Sequence, residues 1–245
     1  MPMGTLSGAR VVVIGGSSGI GFAVAQSALA AGAEVLIGSS DAGKVDAAIA
    51  RLGKGAAGGV VDVRDEASVS AFFRDAGSFD HLAFTAGDWG SFRAPRPFAD
   101  LNLDQAGDVF TVRFWGAVAV VKHALAGIAE EGSITLTNGV VAHRPRRDAA
   151  LSTAMAGAIE HLTRALAVDL APRRVNAVCP GLVLTEVWDD LPAEQREGRL
   201  ARMTASQPLP RAAQPVEVAT AYLYLMTGSF STGQVLIVDG GRTLV

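Results

Sequence analysis

Short runs of Val, Ile and Leu alternate along the chain with longer Ala-rich stretches whose apolar positions recur at helical spacing. Continuous apolar runs suit strands buried on both faces, and the stretches between them suit crossover helices. On this pattern strands are predicted at 10–14, 34–38, 59–62, 81–85, 133–137, 175–178 and 236–238, with helices filling the gaps, notably 19–31, 103–129, 151–171 and 215–226. Pro215 suits a first helical position, and Pro172 closes the helix before it because it cannot continue one. Seven strands joined in this way make one doubly wound α/β sheet, and with no internal repeat the whole of 1–245 reads as a single domain. Two connections, 88–100 and 182–214, are long and rich in Pro, Arg and Trp. Excursions beyond the strand C-termini of an open sheet wall the ligand crevice, so 182–214 is expected to cover a substrate. Trp89, Phe92, Trp188, Leu191 and Met203 are the candidates for its apolar lining.

Composition narrows the picture. Of 245 residues 49% are hydrophobic, yet only 6% are aromatic and 28 are Gly, which favours an α/β layer fold over an aromatic-rich sandwich. A mean hydropathy of +0.31 raises the question of a membrane, but charged residues or His interrupt every apolar run well short of a bilayer span. Twenty-one Lys and Arg against 24 Asp and Glu give a net charge of −3 with no basic stripe, so no nucleic-acid partner is expected. The opening residues lack the pattern of a secretory signal, and Cys179 is the single cysteine; a cytoplasmic chain without an internal disulfide is the expectation. No spacing of His, Cys, Asp and Glu suggests a metal site.

The stretch 11–21, VVVIGGSSGIG, joins a buried strand to a helix through Gly15, Gly19 and Gly21. Glycines there permit a tight turn and let a phosphate approach the helix N-terminus, where free N–H groups and the helix dipole favour an anion. With Asp62-Val63, Ala86-Gly87 and the late segments VNAVCPGLVLT (175–185) and TGQVLIVDGG (232–241), the chain resembles the short-chain dehydrogenase/reductase family over essentially its whole length. The resemblance implies a single-domain Rossmann-type fold with a nicotinamide dinucleotide across the C-terminal edge of the sheet. It places the phosphates on Gly15, Ser17, Ser18, Gly19, Ile20 and Gly21, and the adenine on Asp62 and Val63. Ala86 and Gly87 take the adenine-side ribose, and Pro180, Gly181 and Thr185 the nicotinamide and pyrophosphate. Ser39 and Ser40 stand where NAD-selective relatives carry an acid. The missing carboxylate, together with nearby Lys44, favours NADP(H) over NAD(H).

The same resemblance exposes a gap. The family moves a proton at the substrate oxygen with a Tyr whose pKa is lowered by a Lys one helical turn later, a Ser on the fifth strand and an Asn on the preceding helix. Aligned residue by residue, Gly139 stands at the Ser position, Ser152 at the Tyr, Ala156 at the Lys and Arg113 at the Asn. Tyr222 and Tyr224 lie in the last major helix, too far along the chain to be the missing Tyr. Ile14 replaces a usual Thr, and Phe84-Thr85 a usual Asn-Asn, which bears on how the loop is braced.

Two functions follow. One is an atypical oxidoreductase acting on a small carbonyl or alcohol, with Arg113, His143 and Ser152 as candidate catalytic groups and Arg144, Arg146, Arg147 and Asp148 on the same connection. The alternative is a catalytically inert pseudo-reductase that holds a dinucleotide, small molecule or partner; non-redox chemistry of the dehalogenase kind ranks last. Cys179, His81 and His161 read as structural. The long Ala-rich helices at 103–129 and 151–171 suggest a homodimer or homotetramer.

Overall fold

A computed structural model describes residues 5–87 and 97–245 of the chain. Most of the first long connection, with Trp89 and Phe92, lies outside the described residues. The strands are β1 (Arg10–Ile14), β2 (Glu34–Ser39), β3 (Ala56–Val60), β4 (Phe79–Phe84), β5 (Ile128–Thr137), β6 (Arg174–Pro180) and β7 (Val235–Val238). They form one sheet in the order β3-β2-β1-β4-β5-β6-β7, every pairing parallel. The chain reverses direction across the sheet between β1 and β4, which opens a crevice at their C-terminal ends.

Period-two alternation divides the core between two faces. Val11 and Val13 point to one, where α1 (Gly19–Ala30), α2 (Ala42–Leu52) and a late helix at Pro215–Thr227 pack. Val12 and Ile14 point to the other, covered by α3 (Glu66–Ala76), α4 (Gly116–Ala124) and α5 (Ala150–Asp169). Both faces are therefore dry, as the continuous apolar strands require. Local chemistry starts the helices where expected: Asp41 and Asp65 accept from backbone N–H groups at the starts of α2 and α3.

Two predicted elements need correction. The third strand falls at Ala56–Val60 rather than 59–62. Its AAGG sequence has little strand preference of its own, and its place is set by pairing with β2 and by neighbours that fill the space over glycine. A Cβ on Gly58 would stand 2.8 Å from Val45 Cγ1. The continuous helix expected at 103–129 is broken. A 3₁₀ turn at Leu103–Gln105 and a short helical turn at Asp108–Phe110 lead into a π-helical turn at Thr111–Trp115, and only then does α4 begin. The chain leaves α4 at Ala124 and is already in β5 at Ile128.

The excursion at 182–214 carries its own helix, α6 (Ala193–Thr204), before the last helix, α7 (Pro215–Thr227). Its two ends are tied together: Leu184 N–H donates to the Ala213 carbonyl at 2.8 Å, and Ala213 N–H to that of Leu182 at 2.8 Å. Among the described residues no helix is long and apolar enough to cross a membrane.

Candidate active site

The turn after β1 is built for close approach. Gly15 has φ +87°, and a Cβ there would lie 2.5 Å from the Ala86 nitrogen. A Cβ on Gly21 would meet the Gly15 carbonyl oxygen at 2.2 Å and Thr85 Oγ1 at 2.4 Å. Only glycine fits at either place. Thr85 braces the turn despite the altered Phe84-Thr85 pair, because its Oγ1 donates to the Ile14 carbonyl at 2.9 Å and its backbone N–H to the same oxygen at 2.7 Å.

Helix α1 starts beyond this turn with Ser18 at its N-cap. The Ser18 side chain makes no capping bond, and the first turn carries no acid. Its free N–H groups need an acceptor. One has a stand-in: Gly19 N–H donates to Glu186 Oε2 at 2.8 Å, from the loop after β6. A carboxylate oxygen thus occupies a position suited to a phosphate oxygen, and the residues fit the pyrophosphate of a dinucleotide.

A groove of about 560 Å³ runs from this cradle along the sheet edge. It is lined by Gly15, Ser17, Ser18, Gly19, Ile20 and Gly21, then Ser39, Ser40 and Lys44, Asp62 and Val63, Ala86 and Gly87, and finally Pro180 and Thr185. Gly181, expected with them, lines the adjoining cavity instead. Ser17 and Ser39 share a hydroxyl hydrogen bond of 2.9 Å. Arg64 holds Asp62 through Nε and Nη2, and these bonds set the Asp62 carboxyl below its ordinary range.

The adjoining cavity, about 360 Å³, is lined by Gly139, Ser152, Met155, Trp188 and Met203 among others. Arg113, Asn138, Pro180 and Thr185 face both spaces, so groove and cavity meet there. Arg113 comes from the π-helical turn and packs on Gly87, where a Cβ would lie 3.0 Å from its Nη2. A Cβ on Gly139 would have nothing within 4 Å. Ala156 is buried and does not line the cavity. Trp188 is buried, its Nε1 donating to the Val183 carbonyl at 2.9 Å. Leu191 is not among the lining residues.

His143 departs from its expected place. Its Nε2 sits 2.6 Å from Glu160 Oε1 on α5, and it does not line the cavity. Glu160 is buried and also accepts from Asn138 Nδ2 at 2.9 Å and Arg164 Nη2 at 3.4 Å. Sequence reasoning missed this cluster because its members lie on three elements. Cys179 completes it, with His, carboxylate and thiol atoms all within 4.8 Å of one another, although no spacing along the chain suggested a metal-like group. Burial pushes the Cys179 thiol up to about 12, which removes it as a nucleophile at neutral pH. Tyr222 is also buried, its phenol raised by burial and hydrogen-bonded to Thr137 Oγ1 at 2.6 Å. It is not an exposed proton donor. His161 Nδ1 lies 3.1 Å from the Gly157 carbonyl, a bond within its own helix.

The family model described as enoyl-(acyl carrier protein) reductase matches residues 14–243. The chain belongs to the short-chain dehydrogenase/reductase family. The short-chain dehydrogenase/reductase malC of Malbranchea aurantiaca is 34% identical, covering 98% of this chain and 96% of that protein. The solved MalC structure, described as a reductase/Diels-Alderase, has a TM-score of 0.90 at 35% identity and covers 98% of each chain. Cis-4-hydroxycyclohexanecarboxylate dehydrogenase of Sinomonas cyclohexanicum is 36% identical, covering 99% of this chain and all of that protein. A small-chain dehydrogenase solved in complex with NADPH has a TM-score of 0.82 at 33% identity, covering 97% of this chain and 99% of that one. The relatives are named dehydrogenases and reductases, and this short-chain dehydrogenase/reductase is an oxidoreductase of the same type.

Proposed function

We propose that the chain is an NADP(H)-dependent oxidoreductase that converts a small carbonyl or alcohol without the family's Tyr, Lys and Ser. One observation carries this reading: a glycine-built phosphate groove opens at Arg113, Asn138, Pro180 and Thr185 into a largely apolar cavity. The groove residues would hold a nicotinamide dinucleotide, which when bound would supply or accept a hydride. Arg113 stabilises negative charge on the substrate oxygen, and Ser152 lines the same cavity with a hydroxyl. Water supplies the proton on reduction and takes it up on oxidation. General acid–base assistance is worth roughly 10²- to 10⁴-fold, so its absence slows the reaction without forbidding it.

Ser39, Ser40 and Lys44 line one end of the groove, and two hydroxyls with an ammonium suit a 2′-phosphate better than they suit bare ribose hydroxyls. NADP(H) is therefore the preferred cofactor. Exposed Trp115 and Val168, from the two regions predicted to pair, support a homodimer or homotetramer assembled through them. Titration with NADPH and NADH, followed by a carbonyl panel, tests the reading. Tight NADPH binding with slow cofactor oxidation is expected, and absence of binding by either cofactor at millimolar concentration overturns it. Binding with no turnover of any substrate would favour the inert-binder alternative, to which the named relatives lend no support.

A further inference from the structure

The cavity beside the groove is lined by four arginines, Arg113, Arg144, Arg146 and Arg242, and by no Asp or Glu among the described residues. This occurs in a chain whose net charge is −3, so the positive cluster is local and runs against the overall balance. It is assembled from three separate elements: the π-helical turn, the connection after β5 and the C-terminal 3₁₀ turn Arg242–Leu244. The last is held in place by Asp239, whose two carboxylate oxygens accept from Gly241 N–H at 2.8 Å and Thr243 N–H at 2.7 Å.

Among the described residues neither Arg144 nor Arg242 forms an ion pair with a carboxylate. Arg144 Nη1 donates to the Arg242 carbonyl at 2.9 Å, while Arg242 Nη1 donates to the Met203 carbonyl at 2.6 Å and Gln207 Oε1 at 3.1 Å. These bonds fix both side chains through Nη1, and among the described residues no hydrogen bond engages their Nε or Nη2. Burial, and then the like charges of Arg144 and Arg146, press the Arg242 pKa down, while Asp239 acts the other way. Burial and the charge of Arg199 do the same to Arg146. A cluster under such mutual repulsion favours an anion among its members. The phosphates of the dinucleotide are not that anion, since Arg144, Arg146 and Arg242 do not line the groove where the phosphate cradle lies.

We propose that the substrate is a small organic anion, its carboxylate seated on Arg144 and Arg242 beside Arg146 and its apolar body against Met155, Trp188 and Met203. The proposal rests on the reading of this cavity as the substrate end of an oxidoreductase. It adds the substrate class: oxo or hydroxy acids rather than neutral ketones or alcohols. The apolar wall contributes burial, and the planar guanidinium groups contribute directional recognition of a carboxylate.

The test is calorimetric binding of ω-phenylalkanoates of increasing chain length, each compared with its primary amide, with NADPH binding followed separately by its own fluorescence. At least one carboxylate is expected to bind tenfold or more tightly than its amide. Raising NaCl from about 50 to about 500 mM is expected to weaken the carboxylate several-fold and leave the amide unchanged. The salt arm uses the unaltered protein, so it holds even if a variant fails to fold. In Arg144→Gln with Arg146→Gln, folded by circular dichroism, the carboxylate advantage is expected to disappear. If no carboxylate binds, or if acid and amide bind alike, the proposal is overturned. That result with NADPH still bound and oxidised would leave the oxidoreductase reading standing, whereas loss of NADPH binding alone would sink that reading and not the anion preference.

Discussion

The two ends of the crevice use glycine in opposite ways. At the phosphate end Gly15 and Gly21 are wedged against backbone and Thr85, so that an added Cβ would meet atoms at 2.5 and 2.2 Å. At the substrate end Gly139 faces open space with nothing within 4 Å. The first glycines are demanded by packing, and the last is a place where a side chain could stand but does not. The lesson is that the turn after β1 stands under tight steric constraint. The adjoining cavity, by contrast, leaves room for a side chain at Gly139.

The sharpest way to break this contrast is to refill the cavity. The combined variant Gly139→Ser, Ser152→Tyr and Ala156→Lys is expected to raise carbonyl reductase turnover by about 10²- to 10⁴-fold and to introduce a pH-dependent rate. Steady-state kinetics on the folded, cofactor-bound variant checks it; unchanged activity would mean that the pocket is misaligned with the family's. The next largest effect separates the glycines. Gly21→Ala should weaken NADPH binding by about 100-fold and destabilise the fold by about 1–3 kcal/mol, through overpacking at the turn. Gly139→Ala should leave stability within about 0.5 kcal/mol. Fluorescence titration and thermal unfolding of the pair measure both, and equal effects would erase the distinction.

A control lies away from both ends, in β4. Burial holds His81 neutral with its pKa down to about 4, with Asp80 opposing and Arg174 reinforcing the shift, and its Nδ1 lies 2.9 Å from Ser133 Oγ. The unfolded chain takes up this proton near the ordinary value of 6.5 and the folded chain does not. The native state is therefore favoured above pH 6.5, and that advantage is lost as the pH falls from 6.5 towards 4. Denaturant unfolding across this window should show the loss, and His81→Gln should flatten it. The smallest effect is expected at Glu186. Its carboxylate already holds Gly19 N–H, so Glu186→Gln should tighten NADPH binding several-fold by removing a competing negative charge. Weaker binding in that variant would mean that Glu186 supports the cradle instead of obstructing it.

The phosphate end was legible in the sequence because its parts are local: a buried strand, a glycine turn and a helix follow one another within 11–21. The sheet was legible for the same reason, except at β3, where AAGG carries no apolar signal and pairing with β2 sets the position. The π-helical turn that carries Arg113 was hidden, since TVRFWG reads as ordinary helix. The cavity was only partly legible. Arg144 and Arg146 drew notice on their connection, but Arg242 joins them from the far end of the chain, held by Asp239 and the Met203 carbonyl. The contact of Glu186 with Gly19 and the cluster of Asn138, His143, Glu160 and Cys179 likewise depend on residues far apart in the chain, which no local pattern reveals.

The central claim is that hydride transfer here proceeds from an intact cofactor groove without a titrating protein acid. Pre-steady-state oxidation of bound NADPH by a carbonyl substrate, followed from about pH 6 to about pH 9, tests it most directly. The account predicts tight NADPH binding and a slow rate that stays flat across that range. An inflection reporting one ionising group, or no NADPH binding at all, would contradict it.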